Sequence, residues 1–397
     1  MTGTTVAPRR TPTPLLATLL GVSTMTIMAS ATITPALPGM ERHFAGQPHA
    51  EVLVRLVLTL PGLAIMVAAP LMGYVGVRVG RVRVLVAGLV LYTVGGGSGL
   101  LLDSLPALLT GRALLGVGIA AIMTTATALL ADHHPPADHG RVLGLQGAAM
   151  GFGGVVAMLL GGVLGELSWR GPFAVYLLAV PVLFLVLRHV PETPEGPVAA
   201  PPADGKPAGS PWTWPLLGLY ALTFLSITSF YVIPTQAPFW LAEVGGAGPV
   251  VTGALIAAVN LVMTAVGLNY GRLRARWDFR ALAVAMFATY AVGLLLVGTA
   301  GNLWTATAGM LVVGIGVGLS NPTLNGWTVA SVDPGARTRA LGLLTSALFL
   351  GQFSSPLLAQ PIAGAAGLGG TFLVAGALGA VVALVLTAVA LTRRARR

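Results

Sequence analysis

The chain has no cysteine in 397 residues, one lysine, and only 9% charged residues. Without thiols, disulfides, thiolate catalysis and cysteine-ligated metals are excluded. With so few charges, it could not clothe the surface of a soluble globule. It has no G-x-x-x-x-G-K-[ST] run, so nothing supports ATP-driven chemistry. No nucleophile, base and acid recur at a common depth, which weighs against an intramembrane enzyme. Acids at membrane depth are missing too: all twelve Asp and Glu fall at the ends of apolar segments or between them. What is present is 55% hydrophobic residues and a mean hydropathy of +0.85, with apolar runs of bilayer-spanning length throughout.

The chain repeats itself at an offset of 198 positions. Gly73 meets Gly271, Arg78 meets Arg276, Gly111 meets Gly309, and Gly116 and Gly118 meet Gly314 and Gly316. Arg141, Leu143 and Gly144 meet Arg339, Leu341 and Gly342. A duplicated hydrophobic unit suits a two-half transporter, with its site where the halves meet. Twelve apolar segments are expected, six per half, giving an all-α membrane protein. They lie near 15–37, 52–73, 82–102, 106–131, 141–165 and 171–189, then near 214–240, 249–270, 280–300, 302–330, 339–363 and 369–391. The halves are thus 1–190 and 213–397. The Pro/Gly-rich stretch 191–212 between them cannot pack a core and reads as a cytoplasmic linker. The run from Leu15 is too long for a signal-peptide core.

With both termini inside, Arg42, Arg55 and Arg170 lie outside and Arg112 lies within a span. The remaining 18 of the 22 basic residues then fall on the inner side. That asymmetry orients the chain by the positive-inside rule. It also accounts for the net charge of +10 without nucleic acid. Arg393–Arg397 suits anionic lipid headgroups.

Between the second and third spans the chain reads GYVGVRVGRVR from Gly73. This resembles the Gly-x-x-x-Asp-Arg-x-Gly-Arg-Arg loop of the major facilitator superfamily. Gly73, Arg78, Gly80 and Arg81 match, and Val77 stands where the family has its acid. RALLGVGIAA from Arg112 resembles the family's Arg-x-x-Gln-Gly-x-Gly pattern, with Leu115 for Gln. GGVVAMLLGG, residues 153–162, resembles the fifth-span signature of drug antiporters. Gly153, Gly161 and Gly162 match, while Ala157 and Met158 replace Gly-Pro. Ser168-Trp169-Arg170 is also typical of this group. The resemblance covers the whole chain and is nearest to twelve-span bacterial efflux permeases. It implies two six-helix halves related by a pseudo-two-fold axis, alternating access, the bacterial inner membrane and a monomer without cofactor.

The resemblance places the first, fourth, seventh and tenth spans around a central cavity. Helical spacing then selects Thr24, Met28 and Thr32 on the first, and Arg112 and Met123 on the fourth. It selects Tyr231 and Gln236 on the seventh, and Asn321 and Asn325 on the tenth. Pro234, Pro238 and Pro322 should break those two spans beside the cavity. Gln146, Asn260 and Gln352 are candidates on the fifth, eighth and eleventh. Such a neutral-polar and apolar cavity suits an uncharged or amphipathic small organic substrate. Each Asn, Gln or Thr also reads as interhelical glue.

Arg112 is expected to be the one buried charge. Its readings are an anionic-substrate contact, a structural tie, and, through the resemblance, a part in proton transfer. If protons are coupled, Asp103, Asp132 and Glu166 are the remaining candidates. Asp132, His133, His134, Asp138 and His139 form a metal-capable loop, but Pro135 and Pro136 favour a solvated turn. The leading function is a proton-driven exporter. The alternatives are an uncoupled facilitator or importer and a transport-dead membrane sensor.

With Val77 in place of the acid, the inner latch formed by Arg78, Arg81 and Arg83 against the opposite half should be weak. Val77→Asp should therefore increase the labelling of outward-facing cysteines introduced as probes. Unchanged labelling would count against a latch here.

Overall fold

The computed structural model describes residues 13–135, 138–192 and 210–395. Among these, every regular element is a helix. α1 (Thr13–Ala31), a 3-10 turn (Thr34–Ala36) and α2 (Leu37–His43) make the first span. Pro35 and Pro38 interrupt the hydrogen-bond ladder where the three pieces join. α3 (Ala50–Val79), α4 (Arg81–Gly97), α5 (Leu105–Asp132) and α6 (His139–Leu167) follow. The sixth span is a 3-10 stretch (Gly171–Leu178) running into α7 (Ala179–His189). The second half comprises α8 (Trp214–Gly245), α9 (Pro249–Arg276), α10 (Phe279–Gly298), α11 (Leu303–Ala330) and α12 (Arg337–Ala395).

Eleven of these segments are long and apolar enough to cross a membrane. The last of them is two spans in one. At Gly367 the backbone turns to φ 74°, ψ 173°, outside helical geometry. Only glycine adopts this without strain. The break separates the eleventh and twelfth spans, so the twelve expected segments are all present. The proposed linker lies largely outside the described residues, as does the Arg9–Arg10 pair.

Glycine sets how closely the helices meet. A Cβ on Gly95 would lie 2.6 Å from the Leu115 nitrogen and 2.7 Å from the Gly111 oxygen, joining α4 to α5. Its repeat partner Gly293 would lie 2.6 Å from the Gly309 oxygen and 2.8 Å from the Val313 nitrogen, joining α10 to α11. Two tyrosines also stand 198 positions apart. Tyr92 donates to the Met25 carbonyl at 3.0 Å, and Tyr290 lies 3.2 Å from Ser226 Oγ. Each ties the third helix of its half to the first.

Pro234, Pro238 and Pro322 do not break their helices: α8 and α11 run through them. Membrane helices tolerate interior proline where packed neighbours and hydroxyls take up the freed carbonyls. Thr235 Oγ1 donates to the Tyr231 carbonyl at 2.6 Å within this stretch.

The halves touch at one end and part at the other. Toward the end without the arginine-rich loops, Gly162 of α6 meets Pro249 and Gly253 of α9, and Gly151 meets Thr264 further along. Nearer the arginine-rich end, Gly147 and Gly144 of α6 and Gly267 and Gly271 of α9 face open space. α3 and α12 behave alike: Gly62 packs on Gln352, whereas Gly73 and Gly342 face nothing within 4 Å.

Close packing within a half is testable at one position. A Cβ at Gly161 would sit 2.0 Å from the Thr32 carbonyl oxygen, which is backbone and cannot swing away. Gly161→Ala should cost about 1–3 kcal/mol and lower the melting temperature of purified protein. Gly144→Ala on the same helix meets open space and should be neutral or slightly stabilising.

Candidate functional site

The candidates separate into four environments. Arg112 lies inside the N-terminal half, 0% exposed. Its Nη1 donates to the Tyr176 hydroxyl at 2.9 Å and its Nη2 to the Gly96 carbonyl at 2.8 Å. The guanidinium lies 4.6 Å from the Phe173 ring centroid and 4.8 Å from that of Tyr176. Tyr176 in turn donates to the Ala29 carbonyl. This is the structural tie: one cation joins α5, α4, the sixth span and, through Tyr176, α1. Both terminal nitrogens are thus engaged within the half, and Nε is buried without a hydrogen-bond partner.

Met28 and Thr32 are also buried, with the Thr32 hydroxyl turned onto the Met28 carbonyl at 2.6 Å. Thr24 bonds the Gly21 carbonyl at 2.6 Å and fills the notch left by Gly153. Gly153 and Gly161 thus serve packing of α6 on α1, and Gly162 is the glycine of that signature at the boundary between halves. Gln146 is buried and donates to Ser23 Oγ and Thr127 Oγ1, both at 3.0 Å. In the C-terminal half, Ser226, Ser320 and Tyr290 form a comparable node, with the two serine oxygens 2.8 Å apart. The spacing of one serine per helix carried no signal for it.

Asn321 and Asn325 have a different setting. Both are exposed on α11, a helix that packs on α8, α9 and α10. Asn325 Nδ2 donates to the Asn321 carbonyl at 2.8 Å. Met123 and Asn260 are half-buried. Tyr231 of α8 reaches Ser30 of α1 with its hydroxyl, a bond between halves.

The end without arginine-rich loops holds a polar network that the sequence reading missed. Arg55 was assigned to the outer surface, but it is only 2% exposed, so Arg112 is not the one buried charge. Arg55 Nε donates to Gln236 Oε1 at 3.0 Å, across the halves. Its Nη1 pairs with Glu41 and donates to the Glu51 carbonyl at 2.7 Å. The Phe239 ring covers the guanidinium at 3.9 Å. Gln236 makes a long 3.5 Å contact with Gln360, which donates to Glu51 at 2.8 Å. Gln236 thus belongs to this closure and not to an open wall. The signal that could have found Arg55 is its position one turn inside a span, where no water-filled loop can receive it.

The remaining acids are held at the two ends. Asp103 sits 2.7 Å from both His43 and Arg170. The hydrogen bond with His43 holds its carboxyl below the usual carboxylate range, and the Arg170 charge adds to this while slight desolvation opposes it. Glu166 makes a long 3.5 Å contact with the Val250 amide at the start of α9. At the opposite end Asp132 pairs with Arg81 within the same half, and Arg78 lies over the Tyr74 ring at 4.4 Å. Gly80 turns the chain at φ 107°, and Glu192 accepts from the Val82 amide at 3.2 Å beside it. Among the described residues these basic side chains make no hydrogen bond or ion pair with the opposite half. In the histidine-rich loop, His133 and His134 bond carbonyls of the last turn of α5 at 2.8 and 2.7 Å. Imidazoles at a helix C-terminus complement its exposed carbonyls.

Because Arg112 binds groups from two other spans and reaches a third through Tyr176, Arg112→Ala should act first on folding. It would leave the buried Tyr176 hydroxyl and Gly96 carbonyl short of a partner, at a cost of about 1–3 kcal/mol for each. A thermal melt and membrane yield check this. Normal yield with lost flux would return Arg112 to the transport pathway.

Comparisons with known proteins fit this architecture. The family model described as Major Facilitator Superfamily matches residues 19–218 and again 219–397. An uncharacterized MFS-type transporter of Mycobacterium tuberculosis is 37% identical over 171 residues, 43% of this chain, and the match spans only 24% of that relative's length. The class C tetracycline resistance protein of Escherichia coli is 26% identical over 362 residues, covering 87% of this chain and 89% of that one. The multidrug efflux protein YfmO of Bacillus subtilis is 26% identical, covering 84% and 83%. Among solved structures, a D-xylose-proton symporter superposes with a TM-score of 0.73 at 16% identity, covering 93% of this chain and 97% of that one. A peptide transporter superposes at 0.78 with 12% identity, covering 94% of each. Two six-helix halves built on one repeat, matched twice over by one family model, make this multi-pass membrane chain a member of the Major Facilitator Superfamily.

Proposed function

We propose that the chain is an alternating-access exporter of small organic molecules in the bacterial inner membrane, driven by protons. The observation that carries the reading is the unequal closure of the two ends. One end is locked between halves by Arg55, Gln236, Gln360 and Glu51, while α6 and α9 part toward the arginine-rich loops. Those loops are cytoplasmic by the positive-inside rule, so the molecule is open to the inside. An exporter loads its substrate in that state. Asn321 and Asn325, exposed on α11, are the polar groups offered to it, with half-buried Met123 and Asn260 as further candidates. Neutral amides among apolar side chains suit an uncharged or amphipathic compound. The efflux proteins among the relatives favour the same direction.

One observation favours an uncoupled facilitator instead. The acids lie at the ends of the spans, and the proton candidates Asp103 and Asp132 are held in ion pairs there. A buried mid-membrane carboxylate, the usual proton carrier, is absent from the sequence.

Flux into and out of proteoliposomes, with and without a pH gradient, separates the readings. The exporter requires the gradient and should accumulate substrate against its own gradient. Gradient-independent equilibration identifies the facilitator, and no flux for any ligand found by thermal shift identifies a non-transporting protein. Asn325→Leu should weaken binding of the ligand about tenfold by loss of one hydrogen bond, with no change in melting temperature.

A further inference from the structure

We propose that Glu41 and Arg55 form a proton-binding outer gate: a proton taken up by Glu41 releases Arg55 and lets the halves separate at this end. The proposal rests on the alternating-access reading and adds the group that senses the outer solution.

Glu41 is the one carboxylate in direct contact with the Arg55 guanidinium, and the Glu51 charge acts on it only from further off. The Arg55 side chain is 3% exposed and Glu41's is 26% exposed. The other acceptors of the guanidinium are neutral: the Glu51 carbonyl and Gln236 Oε1. Phe239 covers its face. A buried cation stripped of its one anionic partner is strongly destabilised and must regain water or another anion. Away from the Glu41 side the guanidinium is held by Phe239 and Gln236, and both belong to the opposite half, so a cation that turns out to water gives up contacts across the boundary. Releasing the cation and parting the halves are therefore one event.

Glu41 is open to a proton. It lines a pocket of about 400 Å3 together with His49 and Glu51. Arg55 is the charged group of α3 that faces it, with Glu51 of the same helix one turn away. On α2, His43 is turned to Asp103. α8 presents neutral Gln236 and Phe239 to Arg55, and α12 presents neutral Gln360 to Glu51. The balance is simple: a proton from the outer solution adds to the Glu41 carboxylate, Arg55 keeps its own protons, and the site gains one positive charge. Glu51 does not substitute for Glu41, because its carboxylate is engaged by Gln360 and only its backbone touches Arg55.

The test measures the outer end directly. The chain has no cysteine, so Pro48→Cys and Ala242→Cys supply the sole labels, one exposed position in each half. Spin-label distances are measured in the purified full chain in acidic and alkaline buffer, with proteoliposome flux in parallel. Acid should shift the distribution toward longer distances. Glu41→Gln should give the long distribution at both pH values, Glu41→Asp should restore the pH response, and Glu51→Gln should retain it. A distribution indifferent to pH, or a pH response that survives Glu41→Gln, overturns the proposal. A pH-dependent outer distance in a protein without flux supports the gate and removes the transport reading. Flux with a pH-indifferent outer distance leaves transport standing and removes this gate.

Discussion

The contact on which the rest depends is backbone against backbone at glycine. In a bilayer, lipid tails are as apolar as the helices, so no hydrophobic gain draws helices together. Close approach has to supply the attraction. Gly95 on Gly111 and Gly293 on Gly309 bring α4 onto α5 and α10 onto α11 at distances no side chain would permit. Tyr92 and Tyr290 then fix the outer helix of each pair to the first helix of its half. Because both devices recur at the same offset, the two halves are packed alike. Flexibility is left to the boundary between them, where contact is patchy.

At that boundary the halves stop being equivalent. The N-terminal half spends one arginine on its own interior, where Arg112 gathers three neighbouring spans. It turns a second toward its partner, where Arg55 meets Gln236. The repeat partners of these residues are Met310 and Gly253, so the second half has no cation to answer with. It offers amides instead: Gln236 and Gln360 at the closed end, Asn321 and Asn325 on the open side. A cation–amide contact can be broken without stranding an opposite charge in the second half, which suits a contact that must open and close.

Much of the fold was legible in the sequence because span length and the repeat are one-dimensional properties. Even the turn between the last two spans fell within the expected gap, at Gly367. The site was less legible because a polar residue's role depends on helix rotation and on what its hydroxyl or amide already binds. Thr24 and Thr32 have the right spacing for a cavity wall, yet each bonds its own helix one turn back. Pro234, Pro238 and Pro322 lie where breaks were expected, but neighbouring helices hold α8 and α11 continuous. Arg55 looked like a loop residue because it is only one turn inside its span. Its burial follows from Phe239 and Gln236, which are more than 180 positions away in the chain and invisible to local patterning.

A last feature concerns α2. His43 and Arg170 both grip Asp103, and the rings of His43, Phe44 and Trp169 cluster edge-on and tilted beside them with centroids 4.7–5.4 Å apart. This short helix is therefore welded to the loops between the third and fourth and the fifth and sixth spans. It cannot swing as a separate flap. In the proposed gate, Glu41, which this helix carries, stays with the N-terminal half, and the surface that leaves it is that of α8 and α12. In that gate an event confined to one carboxylate displaces a whole six-helix body, through a lever arm as long as the membrane is thick.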